Sequence, residues 1–101
     1  MSNAQVDSQL TAQISAADED TPIQAVFTLR SDDPSQPAPS PERTEELARG
    51  IVDRVCKLSG VEPERVNVFK YLGSFAISAK PQFISELIEQ PEVATAVANL
   101  R

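Results

Sequence analysis

The sequence predicts an α+β domain with the element order βαββαβ, and three observations carry that prediction. Residues 23–30 and 75–79 place alternate side chains on opposite faces with the period of two that half-buried strands require, whereas residues 41–58 and 81–90 repeat apolar side chains at helical spacing. Punctuation falls where such elements begin and end: Ser40-Pro41 before the first helical stretch, Gly60 after it, Lys80-Pro81 before the second and Pro91 behind it. A chain of 101 residues, 41% hydrophobic and 24% charged, has the size and composition of one small globular domain.

Taken in order, residues 1–21 are polar, carry the acidic run Asp18-Glu19-Asp20 and show no sustained period. They read as a disordered N-terminal arm, so the domain proper is expected over 22–101. The Ser2-Asn3-Ala4 start looks like a cloning scar. The first strand, Ile23 to Arg30, turns Ile23, Ala25, Phe27 and Leu29 to one face and Gln24, Val26, Thr28 and Arg30 to the other. Pro34, Pro37, Pro39 and Pro41 then remove backbone donors and fix φ, which predicts a long extended connection.

Ser40 supplies an N-cap and Pro41 a first helical residue, and Glu42, Glu45 and Glu46 suit the positive end of the helix dipole. Leu47, Ile51, Val55 and Leu58 form the apolar stripe, flanked by Ala48, Val52 and Cys56; Glu45, Glu46, Arg49, Asp53 and Lys57 form the wet side. Gly60 suits a left-handed C-terminal residue, and Gly50 inside the helix invites a close helix–sheet approach. Residues 61–64 make a turn. Residues 65–71 and 75–79 make a hairpin around Leu72-Gly73-Ser74, with Phe75, Ile77 and Ala79 on one face and Ala76 and Ser78 on the other. A second helix carries Phe83, Ile84, Leu87 and Ile88, and residues 93–99 make a last strand. With both helices on one face of a four-stranded antiparallel sheet, this is a ferredoxin-like sandwich.

Composition narrows the function. There is no histidine, which removes Ser-His-Asp and Cys-His catalysis and histidine-held zinc. The one cysteine, Cys56, has no internal disulfide partner and reads as a small buried hydrophobe. No cofactor, metal or catalytic residue is expected, and the chain is read as a non-enzyme. Nine basic residues against 15 acidic ones, a net charge of −6, speak against nucleic acid and anionic membranes as partners. No apolar run approaches the ~20 residues that span a bilayer. No signal peptide is visible, which fits a cytoplasmic protein or a secreted one whose leader has been removed.

Residues 69–97, FKYLGSFAISAKPQFISELIEQPEVATAV, carry a more specific pattern. Phe69 and Tyr71 mark an aromatic strand, Leu72-Gly73 a tight turn, Phe75-Ala76-Ile77 a strand of alternating small and apolar residues, and Leu87 the end of a helix; Pro91-Glu92-Val93 leads into the last strand. This stretch resembles the C-terminal half of subtilisin propeptides and of the free-standing proteinase inhibitors related to them, and the strand IQAVFTLR resembles the family's first strand. The resemblance implies an inhibitor, or a chaperone-like folding partner, of a subtilisin-like serine protease. It would lay its bare sheet face on two surface helices of the enzyme and insert an extended C-terminal segment into the cleft. On that reading the partner-binding residues are Ala76, Ser78, Thr95, Asn99, Leu100 and Arg101. Two departures are visible: the sequence ends at Arg101, and Val97, Ala98 and Asn99 stand where the family often carries acidic residues. A non-inhibitory protein-interaction module of the same fold, lacking the inhibitory tail and able to self-associate by sheet edges or faces, is therefore the alternative.

Overall fold

Eight elements follow one another in the computed structural model, which describes residues 5–31, 35 and 38–99: β1 (Gln5–Val6), α1 (Ser8–Ala16), β2 (Ile23–Leu29), α2 (Pro41–Ser59), β3 (Arg65–Phe69), β4 (Ser74–Ala79), α3 (Pro81–Ile88) and β5 (Val93–Ala98). The strands form one mixed sheet in the order β1-β5-β2-β4-β3. The protein is thus α+β, as the periodicities require, but with three helices and five strands. The expected four-stranded, all-antiparallel sheet is corrected by β1, which pairs parallel to β5 through Gln5 opposite Thr95 and Val6 opposite Ala96.

The expected disordered arm is corrected at the same place. Leu10 of α1 is fully buried in the single core cluster, with Val6, Ile14 and Ala17 packed against it. The Asp7 N–H donates to the Ala96 carbonyl at 2.8 Å and joins the arm to the last strand. A helix of nine residues without a side-chain cap is too short to hold in isolation. Burial of its one apolar edge is what keeps it folded. Residues 1–4, including the Ser2-Asn3-Ala4 start, lie outside the described residues, as do Pro34 and Pro37 of the connection after β2.

The other elements form for the reasons legible in the sequence. The Ser40 hydroxyl accepts from the Arg43 N–H at 3.2 Å, Pro41 opens α2, and Gly60 closes it at φ +71°. The stripe on α2 packs through Leu47, Ala48, Ile51 and Val55, but Leu58 departs from it and is 66% exposed. On α3, Phe83, Ile84 and Leu87 are buried. The helices meet β2 through Ile23, Ala25, Phe27 and Leu29, β4 through Phe75, Ile77 and Ala79, and β5 through Val93 and Ala96. Gly73 turns the β3–β4 hairpin at φ +67°, and a Cβ there would lie 2.8 Å from the Ala38 Cβ.

Gly50 does not serve the close approach expected of it. It is exposed, and a Cβ built there meets nothing within 4 Å. Gly50→Ala should therefore stabilise the fold by about 1 kcal/mol through helix propensity alone, read as a raised midpoint in urea with an unchanged slope.

A polar clamp fixes how β5 leaves the helical layer. The Arg54 guanidinium on α2 donates to the Gln90 side-chain carbonyl at 2.8 Å and to both Glu92 carboxylate oxygens at 2.8 and 3.1 Å. The charge-assisted bond from Arg54 holds the Glu92 carboxyl below its ordinary range, against partial burial that pushes it up. The turn that Pro91 imposes is thereby tied to the middle of α2.

Candidate protein-binding face

All three helices lie on the core side of the sheet, leaving the opposite face without a covering element among the described residues. Strand register decides which side chains populate that face. Val26 sits opposite Ala76 and Val97, Thr28 opposite Ser74 and Thr95, and Gln24 opposite Ser78. At the β3 edge, Arg65, Asn67 and Phe69 sit opposite Ser78, Ala76 and Ser74. Because successive strand residues point to opposite faces, these all share the side away from Phe27 and Phe75.

The expected contact residues fall on this surface as far as they are described. Ala76, Ser78 and Thr95 lie half-buried on it. Asn99 continues the β5 ladder one residue past the strand, its N–H donating to the Gln24 carbonyl at 3.0 Å. Leu100 and Arg101 lie outside the described residues. What the sequence reading did not single out is the rest of the face: Gln24, Val26 and Thr28 from β2, Arg65, Asn67 and Phe69 from β3, and Val97 from β5. The alternation of β2 already placed Gln24, Val26 and Thr28 opposite the core stripe; the pairing with β3 was not readable locally.

Chemically the face has small residues at its centre, Ala76, Ser78 and Ser74, and no carboxylate among its strand residues. The five strands contain one charged residue, Arg65, in a chain with 15 acidic residues, so the negative charge resides on helices and connections. A shallow concavity of about 350 Å³ lies where β5 ends, its lining including Gln24, Arg65, Asn67, Ala76, Ser78 and Asn99, with Glu64 at its β3 side. The side chains of Gln24, Arg65, Asn67, Ser78 and Asn99 make no hydrogen bond or ion pair with another described residue. They offer amide, hydroxyl and guanidinium groups to an outside surface, around a floor of alanine.

The remaining reactive group lies elsewhere. Cys56 is half-buried on α2, and burial, with Glu62 and Asp53 adding to it, pushes its thiol pKa up, away from a nucleophilic thiolate. No group of three or more Cys, Asp or Glu side chains able to hold a metal ion occurs among the described residues. None of their helices is long and apolar enough to cross a membrane. Compared with protein-family models, with curated proteins and with solved structures, the chain matches none.

Proposed function

We propose that this chain is a non-enzymatic protein-binding domain that docks by its bare sheet face, in the manner of the prosegment-type inhibitors of subtilisin-like serine proteases that residues 69–97 resemble. On this reading the strands β5-β2-β4-β3 with α2 and α3 are a ferredoxin-like βαββαβ core, and β1 and α1 are an addition to it. One observation carries the proposal: the uncovered face has a floor of small side chains and no carboxylate among its strand residues, on a molecule of net charge −6. Ala76, Ser78 and Thr95 let a partner's helices come close to the strands, and Asn99 leads the chain off the sheet towards a neighbouring cleft.

Inhibition of this type needs no chemistry. The domain would occupy the cleft and stabilise the folded enzyme by mass action. Titration into a subtilisin assay should show inhibition, and Ala76→Arg, which forces a long cation into the contact, should weaken it about 100-fold. No inhibition by roughly tens of micromolar domain, an affinity too weak to matter, would sink the inhibitory form. A second reading is favoured by Val97, Ala98 and Asn99, which supply no carboxylate where β5 ends. There the same face binds a protein without inhibiting a protease. Binding that Ala76→Arg abolishes, with full protease activity throughout, would select it.

A further inference from the structure

We propose that the free edge of the sheet pairs with the same edge of a second copy, β3 against β3 in antiparallel register centred on Asn67. This reading goes beyond the docking face and does not depend on it.

The two edges of the sheet are unlike. The β5 edge is covered by β1, whereas β3 is the outermost strand on the other side. Three hydrogen bonds fix which main-chain groups face outward. Leu29 N–H donates to the Gly73 carbonyl, Asn99 N–H to the Gln24 carbonyl and Asp7 N–H to the Ala96 carbonyl. In antiparallel ladders bonded and non-bonded pairs alternate. All three bonds then require that odd-numbered β2 residues bond to β4 and even-numbered ones to β5. On β4 it follows that Phe75 and Ile77 bond to β2, while Ser74, Ala76 and Ser78 bond to β3. Their register partners Arg65, Asn67 and Phe69 spend their main-chain groups on β4. The N–H and C=O of Val66 and Val68 are left at the edge, and neither residue makes a bond elsewhere among the described residues.

Natural edges are protected by prolines, bulges or inward charges. Between Arg65 and Phe69 there is no proline and no register shift. Val66 is 39% exposed at this edge.

The occupant is written in the segment itself. Glu64-Arg65-Val66-Asn67-Val68-Phe69-Lys70 is complementary to its own reverse. Set antiparallel about Asn67, Val66 meets the second copy's Val68, so the two residues with outward main-chain groups form the bonded pairs. Arg65 then faces the ring of Phe69, twice by symmetry. Glu64, whose N–H donates to the Ser78 carbonyl at 2.8 Å, stands just before β3 and Lys70 just after it, so at each end of the paired segment the acid of one copy lies beside the lysine of the other. No like charges meet, although each copy carries −6 overall. The twofold axis stands perpendicular to the sheet, so the ten strands are continuous and both bare faces lie on the same side.

Sedimentation equilibrium from low to high micromolar concentration tests this. A reversible monomer–dimer equilibrium is expected. Lys70→Glu should weaken the dimer about tenfold, since like charges then oppose one another at two sites. The swap Glu64→Lys with Lys70→Glu should restore it. Val66→Pro, which removes an outward donor while keeping the ladder to β4, should leave a folded monomer, its fold checked by circular dichroism. Ala76→Arg should leave the dimer intact. A strictly monomeric wild type overturns the proposal. So does a dimer indifferent to charge reversal and to Val66→Pro, or one lost with Ala76→Arg, which would move self-association to the face.

Discussion

Leu10→Ala should lower stability by about 2–5 kcal/mol if α1 belongs to the cooperative core, the range for truncating a buried leucine that leaves a cavity. Leu10 is the single residue of α1 that is fully buried, and it reaches a core shared with β5, α3 and β2. Besides it the helix has only the partial burial of Ile14 and a long bond from the Thr11 hydroxyl to the Asp7 carbonyl, and no side chain caps its start. A domain of this size loses about 4–8 °C in melting temperature per kcal/mol, so the expected drop is at least about 8 °C. The loss has a ceiling, because the arm can detach before the sheet unfolds. Amide exchange separates the two regimes: detachment exposes residues 5–22 in Leu10→Ala while the β2–β4 ladder keeps its protection. A variant that melts like the wild type would place the arm outside the cooperative unit.

That same residue shows why the arm was not legible in the sequence. Leu10 and Ile14 stand one helical turn apart, but among Gln, Ser and Thr neighbours two residues make no stripe. The β1 strand is two residues long and pairs with residues 95 and 96, at the far end of the chain. No local rule reads such a contact. The elements that were legible all repeat a signal over many residues or mark it with a cap: β2 by four alternating core residues, α2 by Ser40, Pro41 and Gly60, and β4 by Phe75, Ile77 and Ala79. Leu58 failed for the opposite reason. Its spacing fits the stripe, but it lies in the last turn of α2, where the helix no longer has core beneath it.

The binding face divides along the same line. Which residues of β4 look away from the core follows from alternation, so Ala76 and Ser78 could be named from sequence. That Thr95 and Asn99 stand two strands away on the same side needs the β2–β5 register, in which a bulge at Thr28/Leu29 shifts the pairing. That the face carries no acidic strand residue is hidden from composition, because a net charge of −6 is a property of the whole chain. It emerges once the acidic residues are seen to fall outside every strand. Electrostatic repulsion between this protein and an acidic partner is then weakest for an approach along the bare face.

Phe75→Ala should be at least as damaging as Leu10→Ala and, unlike it, global: about 3–5 kcal/mol lost, with no surviving folded remainder. Phe75 and Phe27 are register partners on the central strands, both fully buried, with ring centroids 5.4 Å apart and planes inclined by 20°. The ring therefore contributes both apolar burial and the aromatic pairing that accompanies it. Its neighbours cannot fill the gap: Ala96 lies beside Phe27 on β5, and β4 is held on both sides by its ladders. Phe75→Leu, which keeps most of the volume and loses the pairing, should cost less than about 2 kcal/mol. Urea unfolding reads both, with the midpoint falling and the slope unchanged while the transition stays two-state. Equal losses for Leu and Ala would mean that ring pairing, not volume, holds the central strands. Because β4 carries Phe75 inward and Ala76 outward on consecutive residues, a partial loss of the ring's anchoring should also appear at the bare face, as weaker partner binding by Phe75→Leu at temperatures where it remains folded.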